Sequence, residues 1–246
     1  MKINGFNFRA NFVNEIKIRI KTSIKQILFK AFRVEIRRVS PLAPQLNPSV
    51  FLSPILMKVA KRVLHIGAHT GQEREMYASF DLEVLWIEGD PDTYEILKNN
   101  LEAYPSQKST YALLSDIPGM ETQFYTMSND GASSSLYRLD ENQPFKVVET
   151  GVKILRTTNL DSVLLAEDNN FPYWVIDVQG AELLVLRGAR ESLKMCKYLE
   201  LEVSTFNVYR DQPLFSEIAS FVDAAGFFPI WQPPQGFHGN VLFLRK

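Results

Sequence analysis

The chain is expected to fold as an α/β protein on a Rossmann-like, largely parallel sheet, and three observations lead there. From residue 58 onward, short apolar strand patterns alternate with helix patterns, as they do when parallel strands are joined by crossover helices. One strand, residues 63–66, runs straight into a glycine-bearing turn that opens a helix. The composition, 46% apolar and 22% charged with 12 Gly and 13 Pro in 246 residues, is that of an ordinary globular protein. Disordered, collagen-like and low-complexity chains are thereby excluded.

In chain order, the dense Lys, Arg, Ile and Phe content of residues 1–40 suggests an arm. Pro41, Pro44, Pro48 and Pro54 then interrupt regular structure and suggest a linker to residue 57, so the domains read as 1–57 and 58–246. Strand 63–66 is followed by a helix over 72–80 and a strand over 83–88. Asp90 and Pro91 supply a cap and a first-turn proline for a helix over 93–104. A third strand spans 110–114. Residues 119–150, with Gly119, Gly131, Pro144 and a polar centre, read as an insertion of hairpin and loop. Beyond it come a helix at 160–166, a strand at 173–177, a helix at 181–193 broken near Gly188, and a strand at 198–203. A helix at 215–225 ends at Gly226, glycine being favoured just past a helix end. Residues 227–231 and 241–245 should form a terminal antiparallel pair.

The most informative segment is Val63-Leu-His-Ile-Gly-Ala-His-Thr-Gly71. Glycines in such a turn let a ligand approach the backbone, and the helix start offers free N–H groups. Thr70 and Glu73 have the spacing of a capping box. Glu88, 21 residues beyond Gly67, ends the second strand, where nucleotide-binding α/β folds hold ribose hydroxyls. His69 and Gln72 stand where a dinucleotide fingerprint needs glycine and a small residue, which argues against NAD. No phosphate loop of the ATP-binding type is present either. An adenosine-type ligand without a pyrophosphate fits this spacing; the alternative is that Gly67 and Gly71 merely make a tight turn.

The second cluster is Trp174-Val-Ile-Asp-Val-Gln-Gly-Ala-Glu182. Asp177 ends a strand, and ligands of open α/β sheets bind beyond the carboxyl ends of strands. Asp177 should therefore share a crevice with the turns after Gly67 and Glu88. A cap for the following helix is an alternative role for Asp177, and a dipole partner for Glu182. In Leu199-Glu-Leu-Glu-Val203, alternation puts Glu200 and Glu202 on one face.

These segments, with Leu85-Trp-Ile-Glu88, Ala112-Leu-Leu-Ser-Asp116, Ser133-Ser-Ser135, Asn159-Leu-Asp161 and Val185-Leu-Arg-Gly-Ala189, resemble the FkbM family in order over residues 61–245. The resemblance implies a seven-stranded methyltransferase sheet with one antiparallel strand from the terminal hairpin. It implies S-adenosylmethionine as cofactor and O-methylation of a hydroxyl on a small molecule, glycan or lipid-linked precursor. It places His65, Gly67, Ala68, His69 and Gly71 along the methionine part of the cofactor and Glu88, with Gly89 and Asp90, at the ribose. Ser115 and Asp116 fall near the adenine, and Asp177 beside the methyl group and acceptor. The catalytic candidates are Asp177, Glu182 and Glu202, a carboxylate being able to take the acceptor's proton. This chain departs from the family in carrying His65 for an acid and His69 for asparagine. A non-catalytic binding or scaffold protein of the same fold is the alternative that these departures motivate.

The net charge of −1 conceals an asymmetry. Residues 1–62 hold 13 bases and 2 acids, and the remainder 14 bases and 26 acids. Phe12, Ile16, Ile20, Ile24, Ile27 and Leu28 share one helical face that Arg19, Lys25, Lys30 and Arg33 avoid. Residues 1–40 are thus expected as a basic amphipathic helix that contacts an anionic membrane, the chain's own domain or a second copy. A nucleic-acid partner is not expected, since no recognition module is present. One cysteine, Cys196, points to a reducing compartment, and no span of ~18 apolar residues or signal-peptide pattern occurs. A cytoplasmic location is the expectation. His65, His69 and His238 lack zinc-ligand spacing, so no metal is expected.

Overall fold

The computed structural model describes residues 47–165 and 170–246; the expected amphipathic helix within residues 1–40 lies outside them. A sheet is built from β1 (Arg62–Ile66), β2 (Glu83–Glu88), β3 (Gln107–Tyr111), β7 (Tyr173–Ile176), β8 (Tyr198–Ser204), β9 (Phe227–Pro229) and β10 (His238–Arg245). Its order is β3-β2-β1-β7-β8-β10-β9. The ladders β3-β2-β1-β7-β8 are all parallel, while β10 runs antiparallel to both β8 and β9. This is the seven-stranded sheet with one reversed strand that the family resemblance implies. Chain direction across the sheet reverses between β1 and β7, so a crevice opens at their carboxyl ends.

The strands are short and almost wholly apolar because helices cover both faces of a parallel sheet. β7 is buried at every residue, and β1 at all but its first. Leu64, Ile66, Leu85, Ile87, Trp174, Ile176, Leu199 and Leu201 form the centre of one continuous core. Cys196 is buried in the same core as a free thiol.

Local chemistry explains most element ends. Helix α3 (Pro91–Asn100) starts as expected, two residues earlier than the predicted span: Asp90 Oδ1 accepts from the N–H groups of Asp92 and Thr93 at 2.9 and 3.1 Å. Helix α6 (Phe215–Ala224) ends before Gly226 at φ +89°. Helix α5 (Glu182–Arg187) stops at Gly188, and a short 3-10 turn (Ser192–Met195) replaces the rest of the expected helix. A side chain on Gly188 would collide with the Ser115 carbonyl, 2.4 Å away.

Three expectations change. The second half of the linker is helix α1 (Ser49–Ala60), which holds Pro54 within it and buries Ser49, Ser53, Leu56 and Met57. Ser49 Oγ accepts from the N–H of Leu242 at 3.0 Å, tying α1 to β10. Thr70 and Glu73 form no capping box. Helix α2 (Arg74–Ser79) begins after two tight turns, in which Gly71 N–H donates to Ala68 O and Arg74 N–H to Gly71 O. The third strand breaks at Ala112: β3 ends at Tyr111, and β4 (Leu113–Leu114) turns away to pair with the insertion. That insertion is a hairpin of β5 (Glu121–Met127) and β6 (Glu149–Thr158). Helix α4 (Leu160–Leu165) then leads back toward the sheet. Among the described residues no helix is long and apolar enough to cross a membrane.

Candidate active site

The crevice at the β1/β7 switch point is an open cleft of about 570 Å³ including its mouth. Gly67 and His69 line it from the first turn, Glu88 and Gly89 from the end of β2, and Asp177, Val178 and Gln179 from the end of β7. Gly67 has φ +80°, and a Cβ there would sit 1.6 Å from the Asp177 carbonyl oxygen. Only glycine allows the two strand ends to meet this closely.

Glu88 is buried, and its two carboxylate oxygens accept from backbone N–H groups of His69 (2.7 Å) and Asp90 (2.8 Å). Burial raises its pKa against those donors. It therefore holds the first turn and the second turn together at the rim of the cleft. Asp90 faces away: its oxygens serve the α3 cap and the Lys153 ammonium, at 2.6 and 2.8 Å. The wall beyond Glu88 is apolar, made by Ala112, Leu113, Leu114 and Phe124. Ser115 and Asp116 lie past that wall, hydrogen-bonded to each other, and Asp116 lines a second, polar cleft with Asn159, Asp161, Arg187 and Arg190.

The two histidines part company. His69 lines the cleft at φ +46°, and its Nε2 lies 2.9 Å from Asp130 O, which fixes the insertion over the first turn. His65 does not reach the cleft. Its ring stacks on Trp86 at 4.6 Å, and Nδ1 lies 2.9 Å from the Tyr77 hydroxyl. Burial pushes its pKa down to about 4, leaving it neutral in the core.

At the far end of the cleft the acids gather. Oxygens of Asp177, Glu182 and Glu202 lie within 4.8 Å of one another, close enough for one cation to bridge. N–H donors already serve them. Gln179 Nε2 donates to Asp177 Oδ1 (2.6 Å) and to Glu202 Oε2 (2.7 Å), using both its protons. Glu182 Oε1 accepts from Val178 and Gly180 N–H at 3.0 and 3.1 Å, bracing the turn. Burial and the neighbouring Asp177 charge push the Glu182 pKa up to about 8, and the same causes lift Glu202 well above its usual range. Tyr209 Oη sits 2.7 Å from Gln179 Oε1 and 2.9 Å from Ser133 O, so the insertion meets the cluster through Gln179. Behind Glu202, His238 Nε2 lies 3.4 Å from Oε1.

Sequence reasoning did not single out Gln179, Tyr209 or the Leu113–Phe124 wall. Gln179 lay inside the second cluster, but its left-handed backbone, φ +56°, is not written in its side chain.

The sequence matches the methyltransferase FkbM domain over residues 65–229, about two thirds of the chain. The chain belongs to this family. No curated protein matches the FkbM chain. Among solved structures it is similar to a TehB-like SAM-dependent methyltransferase from Corynebacterium glutamicum, with 12% identity, 83% of this chain and 90% of that chain covered, and TM-score 0.44. It is also similar to an O-methyltransferase from Bacillus cereus in complex with SAH, with 12% identity, 91% and 97% coverage, and TM-score 0.45. The strand order and the family match carry the fold. The cofactor is S-adenosylmethionine. The cleft suits it: an apolar wall of Ala112, Leu113, Leu114 and Phe124 for a base, the Glu88 carboxylate at the turn between β2 and α3, and the Asp177 carboxylate for a cationic sulfonium.

Proposed function

We propose that this FkbM methyltransferase methylates a hydroxyl oxygen of a small molecule, glycan or lipid-linked precursor. The observation that supports this reading is the Asp177–Glu202 pair at the end of the cofactor cleft, held by one amide of Gln179. A neutral hydroxyl must lose a proton as its oxygen becomes a nucleophile, and a paired carboxylate in reach is the group that takes it. When bound, the cofactor supplies a methyl group already activated by its sulfonium. The protein's part is then to align and deprotonate the acceptor.

In this reading Glu88 holds the ribose hydroxyls, Leu113, Leu114 and Phe124 flank the base, and Asp177 accepts the acceptor's hydroxyl proton. Glu182 keeps the β7 turn in shape. The insertion, through Ser134 and Tyr209's partner Ser133, forms the acceptor side. The non-catalytic alternative was motivated by His65 and His69; His65 belongs to the aromatic core, so the missing acid at that position leaves the cleft walls unaltered. For residues 1–40 we propose contact with an anionic membrane surface or a second copy of the chain.

Calorimetry with S-adenosylhomocysteine tests the cofactor site, and transfer to a panel of hydroxylated acceptors tests the chemistry. Asp177→Asn should keep cofactor binding within about threefold while transfer falls on the order of 10²-fold, the usual worth of a general base. Unchanged transfer in that variant would remove Asp177 from the role of base.

A further inference from the structure

Two segments that stand out in the sequence, Asn159-Leu-Asp161 and Val185-Leu-Arg-Gly-Ala189, do not line the cofactor cleft. They meet at the second cleft, past the Leu113–Leu114 wall, which is lined by Asp116, Asn159, Asp161, Arg187, Gly188 and Arg190. The turn that carries both arginines is pinned from two sides. Gly188 fits against the Ser115 carbonyl, where a Cβ would lie at 2.4 Å, and against Asn159 Cβ at 3.1 Å. Gly188 O accepts from Asp161 N–H at 3.1 Å. The Asp161 carboxylate in turn accepts from Glu191 N–H, Ser192 N–H and Ser192 Oγ at 3.1, 2.8 and 2.7 Å.

The donors of this cleft are uncommitted, in a domain where acids outnumber bases, 26 to 14 over residues 63–246. Arg62, Arg74, Arg138, Arg156, Arg210 and Arg245 each hold a carboxylate or a backbone carbonyl. Arg187 and Arg190 hold neither among the described residues, and both belong to this one cleft. Asn159 Oδ1 accepts from Ser162 N–H at 2.9 Å, which leaves its Nδ2 protons to donate. The two acids differ. Both Asp161 oxygens are occupied, whereas Ser115 Oγ donates at 3.2 Å to Oδ1 of Asp116 and leaves Oδ2 to accept.

We propose that this second cleft binds a sugar phosphate, the phosphate monoester of a polyhydroxylated molecule. Two guanidinium forks and an amide offer more donors than the two oxygens of a carboxylate can share, and they match the three terminal oxygens of a phosphate monoester. Asp116 Oδ2 accepts from a hydroxyl of the attached sugar. A bare phosphate would instead leave that carboxylate facing an anion with no donor between them. Oxyanion and hydroxyl recognition together account for both signs of charge in the cleft. The site is separate from the cofactor cleft and does not depend on which atom the enzyme methylates.

Titration of the full chain with glucose 1-phosphate, followed through the arginine Nε–Hε signals in 1H–15N spectra, tests the site. Arg187→Gln and Arg190→Gln assign those signals and should leave the fold intact, since both side chains are exposed. The two signals should shift to saturation, and each substitution should weaken binding about tenfold. Glucose 1-phosphate should bind more tightly than inorganic phosphate, and Asp116→Ala should erase that preference. Signals that stay in place at millimolar ligand, or affinities unchanged in both arginine variants, would overturn the site. Equal binding of inorganic phosphate to the unaltered chain would overturn its assignment to a sugar phosphate. With S-adenosylhomocysteine added in excess the binding should persist; displacement would put glucose 1-phosphate in the cofactor cleft and remove the second site.

Discussion

Gly67→Ala isolates the contact on which the cleft depends. The added Cβ would fall 1.6 Å from the Asp177 carbonyl oxygen and 2.6 Å from its carbon, where ordinary contacts begin at 3.4 Å. The ends of β1 and β7 must therefore part by nearly 2 Å, at the hydrogen bond from Asp177 N–H to Ile66 O. Holding alanine at φ +80° costs about 1–2 kcal/mol. Overpacking adds about 1–3 kcal/mol and the weakened backbone bond about 1 kcal/mol. A total near 4 kcal/mol is a large share of the ~5–15 kcal/mol that holds a domain together. For a chain of this size it lowers the melting temperature by roughly 10 °C. Gly119→Ala is the control: its φ is +78°, yet nothing lies within 4 Å of the added carbon, so only the conformational cost of about 1–2 kcal/mol applies. Denaturant unfolding of both variants, with S-adenosylhomocysteine calorimetry, measures the difference. If Gly67→Ala is no less stable than Gly119→Ala and binds equally well, the close approach does not shape the cleft.

Gln179→Ala should lower stability by about 2 kcal/mol, since two carboxylates lose a shared donor. Gln179→Gly should recover about 1 kcal/mol of that, because the position is left-handed; equal stabilities would show that the φ value carries no strain. His65 is depressed from 6.5 to about 4 in the folded chain. Its contribution is therefore present above pH 6.5 and is lost as pH falls toward 4, by up to about 3 kcal/mol. In His65→Phe that acid limb of the unfolding curve should flatten, and an unchanged slope would assign it to other groups. Deleting residues 1–40 should weaken sedimentation with anionic vesicles or change the oligomeric state in analytical ultracentrifugation; neither change would leave the arm without a partner of either kind.

Strand ends were legible where burial and chemistry coincide along the chain. Glu88 and Asp177 each close an apolar run, and Asp90 with Pro91 announces a helix start, because capping is a contact between near neighbours. The faces of the strands were not. His65 and Ile66 are adjacent, and only the packing of Tyr77 and Trp86 decides that the histidine enters the core while Ile66 lines the cleft. Likewise the break at Ala112 turns Ser115 and Asp116 beyond the wall that Leu113 and Leu114 make.

By itself the sequence determined the alternation of strands and helices, the glycine turn, the family and the acids at the strand ends, since each rests on periodicity or short-range spacing. The tertiary structure alone decided the acid cluster's partners. Gln179 meets Glu202 across 23 residues, Tyr209 across 30, and His238 reaches Glu202 through an antiparallel ladder. Such contacts depend on strand order and register, which a linear pattern of side chains does not encode.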